Sequence, residues 1–109
     1  MTEQDSPDEW EHRDLLSGLV RMHILHHAAQ EEIYGLWMIE ELASHGYRLS
    51  PGTLYPMLHK LEHDGYLTVR SVRDGSTVRK LYSATEKGRR GLALARERVR
   101  IFVREEGQA

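Results

Sequence analysis

No cysteine occurs among the 109 residues of the chain. Disulfide bonds, cysteine-ligated zinc, thiol nucleophiles and thiol redox sensing are therefore excluded. The sequence has no apolar run near the about 20 residues that a membrane-spanning helix requires, and no signal-peptide pattern opens it. We therefore expect a cytoplasmic chain that does not enter a membrane, and nothing in its composition calls for a metal or another cofactor.

The net charge is only −2, but it is unevenly distributed along the chain. Residues 1–47 carry two Lys and Arg against ten Asp and Glu, a net −8. Residues 48–82 carry six against three, and residues 83–109 carry seven against four, a net +3 in each case. Because duplex DNA is held mainly by cations placed near phosphates, the part of the chain after residue 47 is the candidate for such a contact.

The N-terminal part of the chain is predicted to form a flexible arm followed by an apolar helix. Residues 1–13 are polar and acidic and contain one tryptophan, Trp10, which is typical of an arm. The helix is expected over about residues 14–29, with Asp14 as its N-cap. Apolar side chains cover most of its circumference, so one of its buried sides is predicted to face a second subunit.

A second helix is predicted over about residues 34–45. Leu36, Ile39 and Ala43 recur at helical spacing and share one apolar face, which Met38 and Leu42 flank. Gly46 follows where a glycine commonly ends a helix. Only a short turn separates this helix from the next one, which is typical of a helix-turn-helix.

The stretch SPGTLYPMLHKLEHDGY, residues 50–66, predicts a third helix despite its two prolines. Ser50 is a suitable N-cap, and Pro51 suits the first helical position, where its missing N–H costs nothing. One buried stripe is formed by Leu54, Leu58 and Leu61. The opposite face carries Gly52, Tyr55, Pro56, His59, Lys60 and His63.

Pro56 is the anomaly of this helix, because it removes the backbone hydrogen bond to the Gly52 carbonyl and its ring crowds that carbonyl. One interpretation is that the resulting bend aims the start of the helix into a groove of DNA. The other is that the proline is merely tolerated so close to the helix start. The sequence leaves both interpretations open.

A β-hairpin is predicted directly after the third helix. Residues 66–73 and 78–84 are rich in β-branched and aromatic side chains, and Asp74-Gly75 is the turn signal between them. A lone hairpin is marginally stable, so this one must pack on the helices. Its cations are spaced to contact phosphates: Arg70, Arg73, Arg79 and Lys80.

Residues 85–109 predict a long amphipathic helix that is capped by Thr85. A helix of about 20 residues reaches about 30 Å and overhangs so small a body. We therefore predict that it dimerises with a second copy, the alternative being that it folds back on its own domain. The predicted interface comprises Leu16, Leu19, Val20, Leu92, Ala95, Val99 and Phe102.

The order of these elements predicts a winged helix. The fold class is mainly α with a small β-hairpin, in which residues 14–84 form a winged helix-turn-helix and residues 85–109 a dimerisation helix. In this fold the helix after the turn enters the major groove of double-stranded DNA, and the hairpin lies along the neighbouring backbone. The sequence therefore predicts a sequence-specific transcriptional regulator rather than an enzyme.

Three stretches resemble the PadR family of bacterial transcriptional regulators: IYGLWMIEEL, LSPGTLYPMLHKLEHDGYL and RKLYSATEKGRR. The resemblance extends from about Leu16 to about Gly91 and is most specific between Pro51 and Glu62. It implies a homodimeric repressor that binds a palindromic operator and releases it on meeting a small-molecule effector. The single helix after the hairpin resembles the short members of the family.

The resemblance also implies roles for individual residues. Positions at or near DNA would be Ser50, Gly52, Thr53, Tyr55, Pro56 and Lys60, with Arg79 and Lys80 on the wing. His59 joins them because it shares the outward face of the third helix. Known effectors of the family include planar aromatics such as phenolic acids, for which the candidate aromatic contacts are Trp10, Trp37 and Phe102.

Two other functions compete with DNA binding. HKLEH, residues 59–63, matches the H-x-x-E-H string of one zinc-peptidase class, with Glu62 as the general base between His59 and His63. Against it, no third protein ligand is evident and the chain is too short to build a substrate cleft. The other alternative is a protein–protein adaptor, since winged helices also serve that role and the net charge is slightly negative.

The first helix also contains the string HILHH. His23 and His27 lie one helical turn apart and are interpreted in two ways. They are either part-buried, hydrogen-bonded core imidazoles or a metal or pH sensor at the dimer interface.

Overall fold

The computed structural model describes residues 11–108, so the predictions for Trp10 and the rest of residues 1–10 lie outside it. Its elements, in chain order, are α1 (Arg13–Gln30), β1 (Ile33–Tyr34), α2 (Gly35–Ser44), α3 (Pro51–His63), β2 (Leu67–Asp74), β3 (Thr77–Ala84) and α4 (Glu86–Gly107). The predicted fold class, mainly α with a small β-hairpin, is confirmed. Within residues 11–108, no helix is both long and apolar enough to cross a membrane.

α1 begins at Arg13 with His12 as its N-cap, so the prediction that Asp14 caps this helix is wrong. Asp14 lies in the first turn, where a carboxylate interacts favourably with the helix dipole. The C-terminal half of α1 is buried at Ile24 and Leu25, whereas Leu15 near its start is 78 % exposed. α1 therefore has a core-facing half and an open apolar half.

α2 buries a different face from the one predicted. Met38 and Leu42 are 0 % and 1 % exposed, whereas Leu36 is 65 % exposed and Ala43 lies on the surface. Apolar side chains surround most of α2, so helical spacing alone did not identify the face that packs against α3. The face predicted from Leu36, Ile39 and Ala43 is therefore wrong at its centre, since only Ile39 is half-buried, whereas Met38 and Leu42, expected to flank that face, form the core contact.

The end of α2 follows the prediction for Gly46. Gly46 has φ of +91°, the left-handed region that glycine favours. Its N–H donates to the Ala43 carbonyl at 3.1 Å, and the Tyr47 N–H donates to the Leu42 carbonyl at 2.9 Å. This pair of bonds is the Schellman arrangement, which turns the chain sharply toward α3.

The hairpin belongs to a three-stranded antiparallel sheet in the order β1-β3-β2, so the prediction of a two-stranded hairpin is incomplete. Ile33 pairs with Tyr82 and Tyr34 with Leu81, which places β3 in the centre. β1 has two residues, too few for an alternation of apolar and polar side chains to reveal it. The pairing of β1 with β3 anchors the hairpin to the connection between α1 and α2.

One hydrophobic core joins the helices and the sheet. It is built from α1, α2, α3, the base of the hairpin and the start of α4, and its side chains include Ile24, Met38, Leu58, Leu67 and Tyr82. Val20 and Leu92 also belong to this core, with exposures of 2 % and 4 %. These two residues therefore present almost no surface to a second copy, which corrects their assignment to the dimer interface.

α4 is capped as predicted, because the Gly88 N–H donates to the Thr85 hydroxyl at 3.0 Å. Only its first turns are buried, and from Leu94 onward its large apolar side chains are open to solvent. Leu94, Phe102 and Val103 are 52 %, 61 % and 57 % exposed. A helix of 22 residues spans about 33 Å, so α4 carries an uncovered apolar surface beyond the core.

Candidate nucleic-acid interface

The buried leucine stripe of α3 is confirmed, since Leu54, Leu58 and Leu61 are at most 6 % exposed. α3 continues from Pro51 to His63 although Pro56 lies inside it. With the stripe facing the core, the opposite face is fixed toward solvent. Four of the predicted contact residues are exposed on it: Gly52, Pro56, His59 and Lys60.

Three other predicted contact residues of α3 are less open. Ser50 occupies the N-cap position and is 3 % exposed, with its hydroxyl 3.3 Å from the half-buried Thr53 hydroxyl. Tyr55 is half-buried, because its ring packs against Gly35 at the start of α2. The prediction that Tyr55 points away from the core is wrong, and its ring instead joins α3 to α2.

The wing, residues 67–84, exposes the cations of its outer half. Arg73, Arg79 and Lys80 are all on the surface, close to the turn between β2 and β3. The Arg79 guanidinium lies over the Tyr34 ring, 5.2 Å from its centre. A cation over an aromatic face is attracted by the ring quadrupole, so β1 helps to orient a charged side chain of the wing.

Arg70 differs from the other wing cations because it is already paired. Its Nε and Nη2 atoms donate to the two carboxylate oxygens of Glu32 at 2.5 and 2.6 Å. The hydrogen bond from Arg70 lowers the pKa of the Glu32 carboxyl, and the same bond raises the pKa of the Arg70 guanidinium. This two-pronged pair ties β2 to the segment between α1 and β1 and orients the base of the wing.

α3, the start of α2 and β3 enclose one groove of about 700 Å³. The groove brings together four predicted contact residues that are far apart in the sequence, namely Tyr55, His59, Arg79 and Lys80. Its apolar wall comes from Leu36, Trp37 and Val78. The wing therefore borders the groove with two cations, α3 contributes Tyr55 and His59, and α2 adds the carboxylate of Glu40. Cations on the wing side are suited to a polyanion.

Two features of this surface were not predicted from the sequence. The apolar wall of the groove was missed because Leu36 was assigned to the core, and its only sequence signal is that apolar residues surround α2. Glu32 was missed as the partner of Arg70 because the two residues are 38 positions apart. No local pattern marks such a pair.

The two histidines of the HKLEH string lie on the exposed side of α3, whereas its central Leu61 belongs to the buried stripe. His59 and His63 are both on the surface, and the neighbouring Lys60 forms an ion pair with Asp64 at 3.2 Å. Among residues 11–108 there is no group of three or more His, Cys, Asp or Glu side chains placed to hold a metal ion. The geometry therefore gives no support to the zinc-peptidase interpretation.

The remaining predicted interface residues border the open parts of α1 and α4. Leu19, Val99 and Phe102 are 39 %, 36 % and 61 % exposed, and Leu16 and Ala95 are half-buried. Leu19 of α1 and Val99 of α4 line one groove between these helices, and Leu94 and Ala95 line another beside α1. Of the candidate effector contacts, Trp37 lines the groove beside α3 and Phe102 lies on α4.

Comparison with known proteins identifies the family. Residues 24–94 match the model of the transcriptional regulator PadR-like family. The transcriptional regulator Rv3488 of Mycobacterium tuberculosis is 49 % identical over 94 residues, which cover 85 % of this chain and 87 % of that protein.

Solved structures show the same architecture. A PadR family regulator from Eggerthella lenta has a TM-score of 0.78 at 30 % identity, with 87 % of this chain and 84 % of that chain covered. Bacillus subtilis PadR in complex with operator DNA has a TM-score of 0.63 at 23 % identity, with 69 % and 44 % covered. The last likeness concerns the fold alone. The matched family model spans most of the chain, and the chain belongs to the PadR-like family of transcriptional regulators.

Proposed function

We propose that this regulator is an effector-responsive repressor that binds a palindromic operator as a homodimer. The observation that carries the proposal is the groove in which the outer face of α3 and the cations of the wing meet. The fold it shares with Bacillus subtilis PadR, a protein solved with operator DNA, supports the same use of α3. Release by an effector rests on the family resemblance.

Within this proposal, the residues divide into three roles. Gly52, Pro56, His59 and Lys60 enter the major groove, since they are the exposed residues of the outer face of α3. Arg73, Arg79 and Lys80 contact phosphates. Ser50, Thr53, Tyr55 and Arg70 lie beside the DNA and act mainly by positioning, because each is buried, half-buried or already paired.

The proposed dimer is supported by the exposed apolar side chains of α1 and α4. Large exposed apolar side chains occur on both helices, and a cluster of such side chains is typical of an interaction site. A symmetric dimer would present two α3 helices about 34 Å apart, one turn of DNA. The operator is then expected to contain two inverted half-sites at that spacing.

Selection of bound fragments from the source genome tests the proposal. The purified chain is mixed with sheared genomic DNA at moderate salt, and retained fragments are sequenced after several rounds. We expect enrichment of one inverted repeat with half-sites about 10 base pairs apart, centre to centre. Retention without any shared sequence would contradict an operator-specific role, and no retention at all would favour the protein–protein adaptor.

A further inference from the structure

Four of the seven histidines lie together where α1 meets the C-terminal end of α2. His23, His26 and His27 come from α1, and His45 is the C-cap of α2. The ring centres of His23 and His45 are 5.1 Å apart, and those of His27 and His45 are 6.4 Å apart. The centres of His26 and His27 are 4.9 Å apart, so these four rings form one continuous histidine cluster.

Among residues 11–108, Glu41 is the anionic residue that contacts the histidine cluster. Glu41 of α2 places its Oε1 atom 3.5 Å from His27 Nε2 and 3.7 Å from His45 Nδ1. His45 Nδ1 also lies 2.9 Å from the Glu41 carbonyl oxygen, to which it donates when it carries its proton. A first proton on the cluster is therefore balanced by Glu41, but a second or third one has no further carboxylate among these contacts.

A cation from α4 adds to the positive side. Arg96 Nη2 donates to His26 Nδ1 at 2.5 Å, a bond that requires this ring nitrogen to be unprotonated. Protonation of His26 would turn the acceptor into a second donor facing a guanidinium. The other charged groups at the cluster are thus Glu41 from α2 and Arg96 from α4. Tyr47 is also near, with its ring centre 5.2 Å from that of His23.

The sign of the pH effect follows from these contacts. Burial, followed by the neighbouring imidazoles, lowers the pKa of His23, and burial with His27 and Arg96 lowers the pKa of His26. In the unfolded chain both titrate near about 6.5. As the pH falls below that value, the unfolded chain binds more protons than the folded one, so the folded state loses stability in acid.

We propose that the histidine cluster is an acid-sensitive joint, in which proton uptake loosens the packing of α1 against the C-terminal end of α2. The joint adjoins the turn between α2 and α3, since Tyr47 both contacts His23 and closes the last turn of α2. Loosening there would disturb the support of α3. Its effect on operator binding rests on the proposed function, whereas the loosening itself does not.

Urea unfolding of the full chain at pH 7.5, 6.5 and 5.5, in the presence of a chelator, tests this joint. We expect the unfolding equilibrium constant of the wild type to rise toward pH 5.5, by up to about tenfold for each histidine whose pKa is lowered in the folded chain. A His23→Gln, His26→Gln variant should show a much flatter response. The matched control, His59→Gln with His63→Gln, should respond like the wild type.

A titration of the histidine ring protons by NMR keeps the proposal testable if the double variant does not fold. In the wild type, His23 and His26 should titrate at a lower pH in the folded chain than the same two residues do in the urea-unfolded chain. Equal midpoints, or an equally steep unfolding response in the His23→Gln, His26→Gln variant, would overturn the proposal. An acid response that occurs only without the chelator would assign the effect to a bound metal and overturn it as well.

Measurement of operator affinity at several pH values tests the acid-sensitive joint and the proposed function independently. If the chain binds its operator at pH 7.5, its affinity should fall toward pH 5.5 in the wild type and less in the double variant. An affinity that falls equally in both would contradict the joint. If no operator is bound at any pH, the proposed function fails, and the unfolding and NMR results still decide the joint.

Discussion

Single residues fix how the elements of this regulator meet. Gly88, in the first turn of α4, is buried because that turn packs against the backbone carbonyl of Tyr66. A Cβ atom at position 88 would overlap the Tyr66 carbonyl oxygen, which also accepts the Thr85 N–H at 3.1 Å. A backbone atom cannot rotate away as a side chain can, so the start of α4 depends on this glycine.

Replacement of Gly88 by alanine is therefore expected to destabilise the fold by about 1–3 kcal/mol, the usual cost of overpacking. The gain of up to about 1 kcal/mol that alanine brings inside a helix will not offset it. Gly18→Ala in α1 is the matched control, since nothing lies within 4 Å of the added Cβ. Urea unfolding should show the control at least as stable as the wild type; a Gly88→Ala chain of undiminished stability would refute the close contact.

At the scale of elements, the sequence predicted what local chemistry decides. The Thr85 cap and the Gly46 terminus are each set by a few neighbouring residues, and both helix ends lie where they were expected. The leucine stripe of α3 was predictable because polar residues flank it. These features explain why the fold class follows from the sequence.

What the sequence did not reveal depends on contacts between distant residues. The buried face of α2 is selected by its packing on α3, and apolar side chains all around α2 hide that choice. β1 is a strand only because it pairs with β3. Arg70, predicted to contact a phosphate, instead binds the carboxylate of Glu32, which lies 38 positions earlier in the sequence. The outward face of α3 was therefore only partly predictable, since Tyr55 turns toward Gly35.

α4 is the element on which the proposed dimer depends. Phe102 is 61 % exposed in the single chain, so a charge there would be buried without a partner if two copies meet on this surface. Phe102→Glu should shift sedimentation from dimer to monomer at micromolar concentration, while the circular dichroism spectrum stays helical. Gln108→Glu adds the same charge beyond the end of α4 and should remain dimeric. Equal masses for the two variants would contradict this interface.

At the scale of the whole molecule, the proposed DNA binding depends on how charge is distributed along the chain. The acidic residues lie mostly before residue 48, whereas the wing and α4 carry most of the cations. The net charge of −2 therefore says little about the surface around α3. Binding to a phosphate backbone depends on the local cations, and each phosphate contact makes the affinity fall more steeply as the salt concentration rises.

The most direct test of the central claim is the salt dependence of operator affinity for an Arg73→Ala, Arg79→Ala variant. If each of the two arginines meets one phosphate in both subunits, the slope of log K against log salt should decrease by about 3–4, since each contact contributes about 0.9. Arg89→Ala with Arg90→Ala removes the same charge from α4 and should leave the slope close to that of the wild type. A wing variant whose slope and affinity match those of this control would contradict DNA binding through the wing.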